Sequence, residues 1–206
     1  ENLTNLIRLN LGFNTLTGAV PAGIGRLLKL KRLSLSGNQL GGTLSWLSPL
    51  TQLNRLELRQ NLFNGSVPST IAKMVHLQRL TLSNNRLSGP ILKIIGTLTR
   101  LRVLRLGGNS FTGAIPAEMG NLKYLDELQL QNNCFSGPVP LSLLNLSLGD
   151  SGVLLLYGNE GLTAGDFPFP STIGAACTAD SFEELKHCGC GRDARRDGRF
   201  CDDDFD

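Results

Sequence analysis

The sequence predicts an α/β solenoid, a stack of short repeats whose strands form a parallel β-sheet on the concave face. Two observations support this prediction: one phrase recurs along the chain, and its leucines alternate as in a half-buried strand. The phrase reads L-x-x-L-x-L-x-x-N-x-(L/F)-x-G, and its Asn falls at Asn14, Asn38, Asn61, Asn85, Asn109 and Asn133. Successive Asn positions differ by 24, 23, 24, 24 and 24 residues. A seventh, degenerate copy keeps Leu154, Leu156 and Asn159 in phase.

Each copy begins with a short strand. In Leu33-Ser34-Leu35 the two leucines point to one side and the Ser to the other, because side chains alternate along a strand. Stacking places neighbouring strands about 4.8 Å apart and buries the leucine columns against one another, since no single repeat can build a core. Six regular copies exceed the roughly three that a stable stack requires.

An Asn follows each strand at the point where the chain turns inward. An inward amide is stable only if it meets backbone groups of adjacent turns, so the sequence predicts a hydrogen-bonding Asn ladder. Four residues later every copy has a Gly, as expected for a positive φ or a close backbone approach: Gly18, Gly42, Gly65, Gly89, Gly113 and Gly137. An extended bend is then favoured by Pro21, Pro68, Pro116 and Pro140.

These features resemble the plant-type leucine-rich repeats. That family carries a second phrase, L-(T/S)-G-x-(I/V)-P, present here as LTGAVP, FNGSVP, FTGAIP and FSGPVP. The resemblance covers residues 1 to about 163 and implies an array of the kind found in ectodomains of receptor-like kinases, in receptor-like proteins and in polygalacturonase-inhibiting proteins. Two copies depart from the pattern: the second reads LGGTLSW without a Pro, and the fourth has Leu92 at the Pro position. We therefore expect the second sheet of the array to be irregular at these two copies.

The chain divides into a repeat array, residues 1–163, and a C-terminal cap with an acidic tail, residues 164–206. Four of the five cysteines lie in the cap: Cys177, Cys188, Cys190 and Cys201. We expect them to form disulfides over the last hydrophobic repeat, with three possible pairings, because array ends need covering and small loop-rich segments need staples. A zinc site formed by His187, Cys188, Cys190 and Cys201 is the alternative. Cys134 is left over, as a buried thiol or an intermolecular bridge.

Three N-x-S/T sequons predict glycosylation at Asn2, Asn64 and Asn145. Together with the cysteines, they favour the extracellular space or the secretory pathway, at the cell surface or in the cell wall. The chain begins inside a repeat, with Leu3 and Leu6 already in register, so we expect the natural protein to extend further at its N terminus. The sequence contains no apolar run long enough to insert across a bilayer.

Charge is divided unevenly along the chain. Residues 1–125 hold fifteen Lys and Arg against three acidic residues, or +12, and residues 126–206 hold five against fourteen, or −9, which together give the net +3. The basic residues are spread through the array rather than gathered in a Lys-rich arm. This distribution argues against nucleic-acid binding.

The repeat register places part of the basic charge on the concave face. The residue before the central Leu of each strand points outward, and in four successive copies it is an arginine: Arg8, Arg32, Arg55 and Arg79. The column between the paired leucines adds Glu57, Arg105 and Gln129. Glu57 can pair with any of three arginines of the first column. Because a guanidinium suits carboxylate, sulfate or uronate groups at regular spacing, these seven residues form the candidate ligand-binding site; a solvated face is the alternative.

The sequence contains no catalytic constellation. It has two histidines, His76 and His187, and lacks a P-loop, an H-E-x-x-H motif and a G-x-S-x-G motif. It therefore predicts no enzyme, no cofactor and no metal. The predicted function is a non-enzymatic extracellular recognition module that binds a protein, a peptide or an acidic polysaccharide (glycan) through its concave face. The alternatives are a structural scaffold subunit of a larger assembly and an inhibitor of a glycan-degrading enzyme.

Overall fold

The computed structural model describes residues 3–148 and 152–167, which form two parallel sheets linked by short 3₁₀ helices. The first sheet contains β1 (Arg8–Asn10), β3 (Arg32–Ser34), β5 (Arg55–Glu57), β7 (Arg79–Thr81), β9 (Val103–Arg105), β11 (Glu127–Gln129) and β13 (Val153–Leu155). The second sheet contains β2 (Thr17–Ala19), β4 (Gln39–Gly42), β6 (Leu62–Gly65), β8 (Arg86–Pro90), β10 (Ser110–Gly113), β12 (Cys134–Pro138) and β14 (Gly161–Thr163).

Consecutive repeats contribute neighbouring strands to the first sheet, and the register never slips. Arg8 lies opposite Arg32, Arg32 opposite Arg55, and Arg55 opposite Arg79. The central leucine of each strand from β3 to β11 is fully buried, Leu33 among them. The parallel sheet predicted from the alternating leucines is confirmed.

The connections between the sheets are 3₁₀ helices wherever the described residues form a helix. They span Ala22–Arg26, Ser45–Leu47, Ser69–Lys73, Lys93–Thr97, Ala117–Asn121 and Leu141–Asn145. No helix within residues 3–148 and 152–167 has the length and hydropathy needed to cross a bilayer.

The second sheet continues through the second and fourth copies, so the expected irregularity there is wrong. β4 pairs with β2 and β6, and β8 pairs with β6 and β10. Leu92 takes φ −71° and ψ 142°, close to the −69° and 143° of Pro68. Proline presets this backbone conformation, but it lies in the allowed extended region and a Leu can adopt it. The second copy changes its helix instead: Leu44 has φ −88° and ψ 16°, and a three-residue helix follows.

The Asn ladder binds successive repeats together, as predicted. The Nδ2 of Asn85 donates to the carbonyl oxygens of Leu58, one repeat earlier, at 2.9 Å and of Leu82 at 3.0 Å. Its Oδ1 accepts the N–H of Phe63 at 3.1 Å. The same set of bonds recurs at Asn38, Asn61, Asn109, Asn133 and Asn159. The Asn14 amide reaches only carbonyl oxygens of its own turn.

Positive φ angles occur at two places in each of the six regular repeats. The Gly four residues after the Asn has φ between 74° and 83° in all six regular copies, which confirms the prediction. A second positive-φ residue, which we did not predict, directly precedes the Asn in all seven copies: Phe13, Gly37, Gln60, Asn84, Gly108, Asn132 and Gly158.

The core lies between the two sheets. It consists of leucine columns and of Phe63, Phe111 and Phe135, which are fully buried. Phe111 stacks on Phe135 with ring centroids 6.2 Å apart. Trp46 packs against Phe63 at 6.4 Å, which fits a structural role for the single Trp.

Candidate functional site

The predicted ligand-binding residues share one surface, the outer face of the first sheet, defined as the side opposite the buried leucines. Its first column runs through Arg8, Arg32, Arg55, Arg79, Val103 and Glu127. Its second column runs through Asn10, Ser34, Glu57, Thr81, Arg105 and Gln129. The first two arginines of the first column are exposed and the next two are half-buried.

One arginine of the first column has an acidic partner. Arg55 Nε lies 3.3 Å from Glu57 Oε1, which selects one of the three pairings that the sequence left open. The two side chains are 43% and 27% exposed, so water screens the pair and its contribution to stability is small. Within the described residues, Arg8, Arg32 and Arg79 form no ion pair.

Arg79 lies in a positive local field. Partial burial, followed by the charges of Arg55 and Arg105, lowers the pKa of its guanidinium below the usual value. Glu57 and Glu127 oppose this effect but do not cancel it. An arginine remains protonated at neutral pH, so a bound anion would relieve both the burial penalty and the repulsion.

The other end of the outer face is internally neutralised. Arg105 forms a bidentate ion pair with Glu127, with Nε–Oε1 at 2.6 Å and Nη2–Oε2 at 3.0 Å, and their side chains are 29% and 14% exposed. Next to this pair, Arg102 Nη1 lies 3.2 Å from Asp126 Oδ2. The sequence-based site included Arg105 as an available cation, whereas the structure shows its guanidinium held by Glu127.

Parts of the outer face are not exposed. Thr81 and Val103 lie in its two columns, yet they are only 3% and 7% exposed. Val103 stands in register between Arg79 and Glu127, whose longer side chains flank it. The Thr81 hydroxyl has no hydrogen-bond partner among the described residues. The accessible cationic surface therefore ends at β7.

Phe13 and Arg59 form a contact that sequence reasoning missed. Phe13 is 69% exposed and has φ 55°, a backbone conformation that bulky side chains rarely adopt. Its ring lies so close to Gly37 that a Cβ on that Gly would be 2.7 Å from Phe13 Cδ1. The Arg59 guanidinium carbon lies 5.6 Å from the ring centroid, a cation–π distance. The residue at this position has a positive φ in all seven copies of the repeat.

The predicted modification sites are accessible where they are described. Asn64 and Asn145 are exposed, and Asn2 lies outside the described residues. Cys134 is disulfide-bonded rather than a free thiol. The other four cysteines and the alternative zinc ligands lie outside the described residues. Within residues 3–148 and 152–167, no group of three or more His, Cys, Asp and Glu side chains could hold a metal ion.

Comparison with known proteins places the chain in a family. The Leucine Rich Repeat family model matches residues 5–27, 29–50, 76–98 and 100–122. The crystal structure of the ectodomain of the Arabidopsis thaliana receptor kinase GASSHO1/SCHENGEN3 superposes with a TM-score of 0.70 at 36% identity, covering 76% of this chain and 18% of that one. The Arabidopsis receptor kinase HAESA gives 0.71 at 34% identity, covering 79% and 27%.

A third structure is similar in length to this chain. Pollen Receptor Kinase 3 superposes with a TM-score of 0.67 at 30% identity, covering 76% of this chain and 74% of that one. No curated protein sequence matches the chain. The repeat register, the two parallel sheets and these structures show together that the chain belongs to the plant-type leucine-rich repeat family.

Proposed function

We propose that this chain is a non-enzymatic, extracellular recognition module, and that the outer face of its first sheet is the concave surface that binds a peptide or protein segment bearing acidic groups. The run of four arginines in register on β1, β3, β5 and β7 carries the proposal, and three of them have no acidic partner among the described residues. HAESA was crystallised with the peptide hormone IDA and the co-receptor SERK1, and GASSHO1/SCHENGEN3 with Casparian Strip Integrity Factor 2. Both neighbours support a peptide or protein ligand here.

The sheet presents these guanidiniums on a rigid support. β3, β5 and β7 are each fixed by backbone pairing on both sides and by the Asn ladder, so binding loses little backbone entropy there. Adjacent strands of the first sheet lie about 4.8 Å apart. At that distance two unit charges in water repel by only about 0.9 kcal/mol. The free protein therefore tolerates the arginines without a ligand, and an acidic ligand gains their combined attraction.

The alternatives are distinguished by different readouts. An acidic glycan would compete with the peptide for the same arginines. An enzyme inhibitor would cause a stoichiometric loss of polygalacturonase activity, and a scaffold subunit would co-migrate with a defined complex from its native source.

The proposal is tested with a fluorescein-labelled hexaglutamate peptide, whose affinity is measured by fluorescence polarisation at low and high ionic strength. Changing Arg32, Arg55 and Arg79 together to Gln should weaken binding by about tenfold and flatten its salt dependence, because charge-assisted pairs are lost.

The matched control changes three arginines on other surfaces, Arg26, Arg86 and Arg100, which are exposed and alter the net charge equally. This variant should bind the peptide like the parent protein. Equal weakening in both triple variants would show a non-specific effect of net charge and would contradict the proposal. Unchanged affinity in the first variant would remove these residues from the site.

A further inference from the structure

In the middle of the arginine column, arginines without an ion pair alternate with one that has an ion pair. Arg55 is held by Glu57 at 3.3 Å, whereas Arg32 on one side and Arg79 on the other form no ion pair within the described residues. The Glu57 carboxylate is 27% exposed and lies in the strand between the two free guanidiniums. A ligand with one acidic group opposite every strand of the first sheet would place one of its negative charges next to Glu57. A polyuronate has a carboxylate on every sugar, so this arrangement disfavours it and favours acids separated by neutral residues.

The distance between the two unpaired arginines, Arg32 and Arg79, favours one ligand conformation. Two strand spacings separate Arg32 from Arg79, or about 9.6 Å. A polyproline II segment rises about 3.1 Å per residue with three residues per turn, so residues i and i+3 point the same way about 9.3 Å apart. Same-side residues of an extended β-strand lie about 6.7 or 13.4 Å apart, and helical residues i and i+7 lie about 10.5 Å apart. Polyproline II gives the closest match.

The basic run also has a defined end. Beyond Arg79 the first column continues with Val103, which is 7% exposed, and then with Glu127, which is bound to Arg105. A third acid placed further along the ligand would meet an apolar side chain and then a like charge. This boundary makes Arg79 on β7 the last arginine of the first column, and only Arg32 and Arg79 lie on the two sides of the Arg55–Glu57 pair.

We infer that the outer face of the first sheet recognises a peptide segment in the polyproline II conformation whose acidic side chains at positions i and i+3 pair with Arg32 and Arg79. The two intervening residues are uncharged, because they pass over Glu57. The inference rests on the proposed function and names the ligand class of the same face.

The test uses three labelled octapeptides of one composition, each with two Asp and six Pro. They place the two Asp at i,i+3 (Pro-Pro-Asp-Pro-Pro-Asp-Pro-Pro), at i,i+2 or at i,i+1. Net charge and polyproline II content are matched, so affinity differences report spacing. The i,i+3 peptide should bind at least about threefold more tightly than the other two, and Arg32→Gln or Arg79→Gln should each abolish that preference. Arg86→Gln, on β8 of the second sheet, should leave it intact.

A second variant tests the role of the Arg55–Glu57 ion pair. Glu57→Gln should release Arg55, raise the affinity for a labelled oligogalacturonate by about threefold and reduce the spacing preference. Glu118→Gln is the matched control, because Glu118 pairs with Lys93 away from this face.

The outcomes separate the two proposals. Equal affinity for the three peptides, with weakening by Arg32→Gln, would overturn the spacing inference and keep the proposed function. Tighter binding of oligogalacturonate than of any peptide to the parent protein would overturn the peptide assignment. Binding that none of the arginine variants changes would overturn both.

Discussion

Replacing Asn85 by Ala should destabilise the protein by about 3 kcal/mol. Asn85 is 6% exposed; its two Nδ2 hydrogens are shared among three carbonyl oxygens, and its Oδ1 accepts the N–H of Phe63 at 3.1 Å. In the variant the carbonyl of Leu58 keeps the amide of Asn61 and that of Leu82 keeps the amide of Asn109. The Phe63 N–H loses its acceptor, and an unsatisfied buried donor costs about 1–3 kcal/mol. The two lost Asn85 N–H donors add about 0.5 kcal/mol each, at the low end of the usual range, because their carbonyl acceptors are shared with other donors.

The assay is urea unfolding of the full chain, followed by circular dichroism and compared with Asn14→Ala. Asn14 is exposed and its amide bonds only within its own turn, so this control should lose less than about 1 kcal/mol. Equal losses in the two variants would refute the reasoning, because they would show that the contacts between repeats contribute no more than a local turn.

Three further predictions concern backbone, charge and modification. Gly113→Ala should cost about 1–2 kcal/mol in the same assay because Gly113 has φ 78°, whereas Gly23→Ala, where nothing lies within 4 Å of the added Cβ, should be nearly neutral; two neutral variants would contradict the strain argument. Arg105→Gln should cost about 1–3 kcal/mol by leaving the half-buried Glu127 unpaired, and Arg105→Lys should restore part of the loss; full stability of the Gln variant would show that water replaces the guanidinium. Asn64 should carry a glycan when the protein is taken from its native source, so an intact-mass spectrum should shift after glycosidase treatment; a bare Asn64 would argue against the secretory pathway.

The fold could be predicted because its determinants repeat within short segments. Strand, Asn and Gly positions are set by local spacing, and the register carries them from one copy to the next. The prediction of an irregular second sheet is wrong at Leu92 because it gives Pro a determining role. The structure shows that the residue needs only an extended backbone, which Leu also adopts.

The sequence predicts which side chains line the two columns of the outer face, but it does not predict which of them form ion pairs. Alternation along a strand places Arg79 and Arg105 on the outer face, but it cannot say which neighbour a long side chain reaches. The bidentate pair joins Arg105 of the second column to Glu127 of the first, across adjacent strands. The residue before each ladder Asn carries a further sequence signal. Gly or Asn, the residue types that adopt a positive φ most readily, occupies five of these seven positions. The two exceptions are Gln60 and Phe13, and Phe13 contacts Arg59.

The central claim is that the outer face of the first sheet is the binding surface. Arginine-selective labelling with phenylglyoxal tests this claim most directly. The labelling is read by mass spectrometry with and without the i,i+3 octapeptide. The account predicts that the peptide protects Arg32 and Arg79, while Arg26 and Arg86 on other surfaces react at unchanged rates. Protection of Arg86 by the peptide would contradict it. Labelling rates at Arg32 and Arg79 that saturating peptide leaves unchanged would also contradict it.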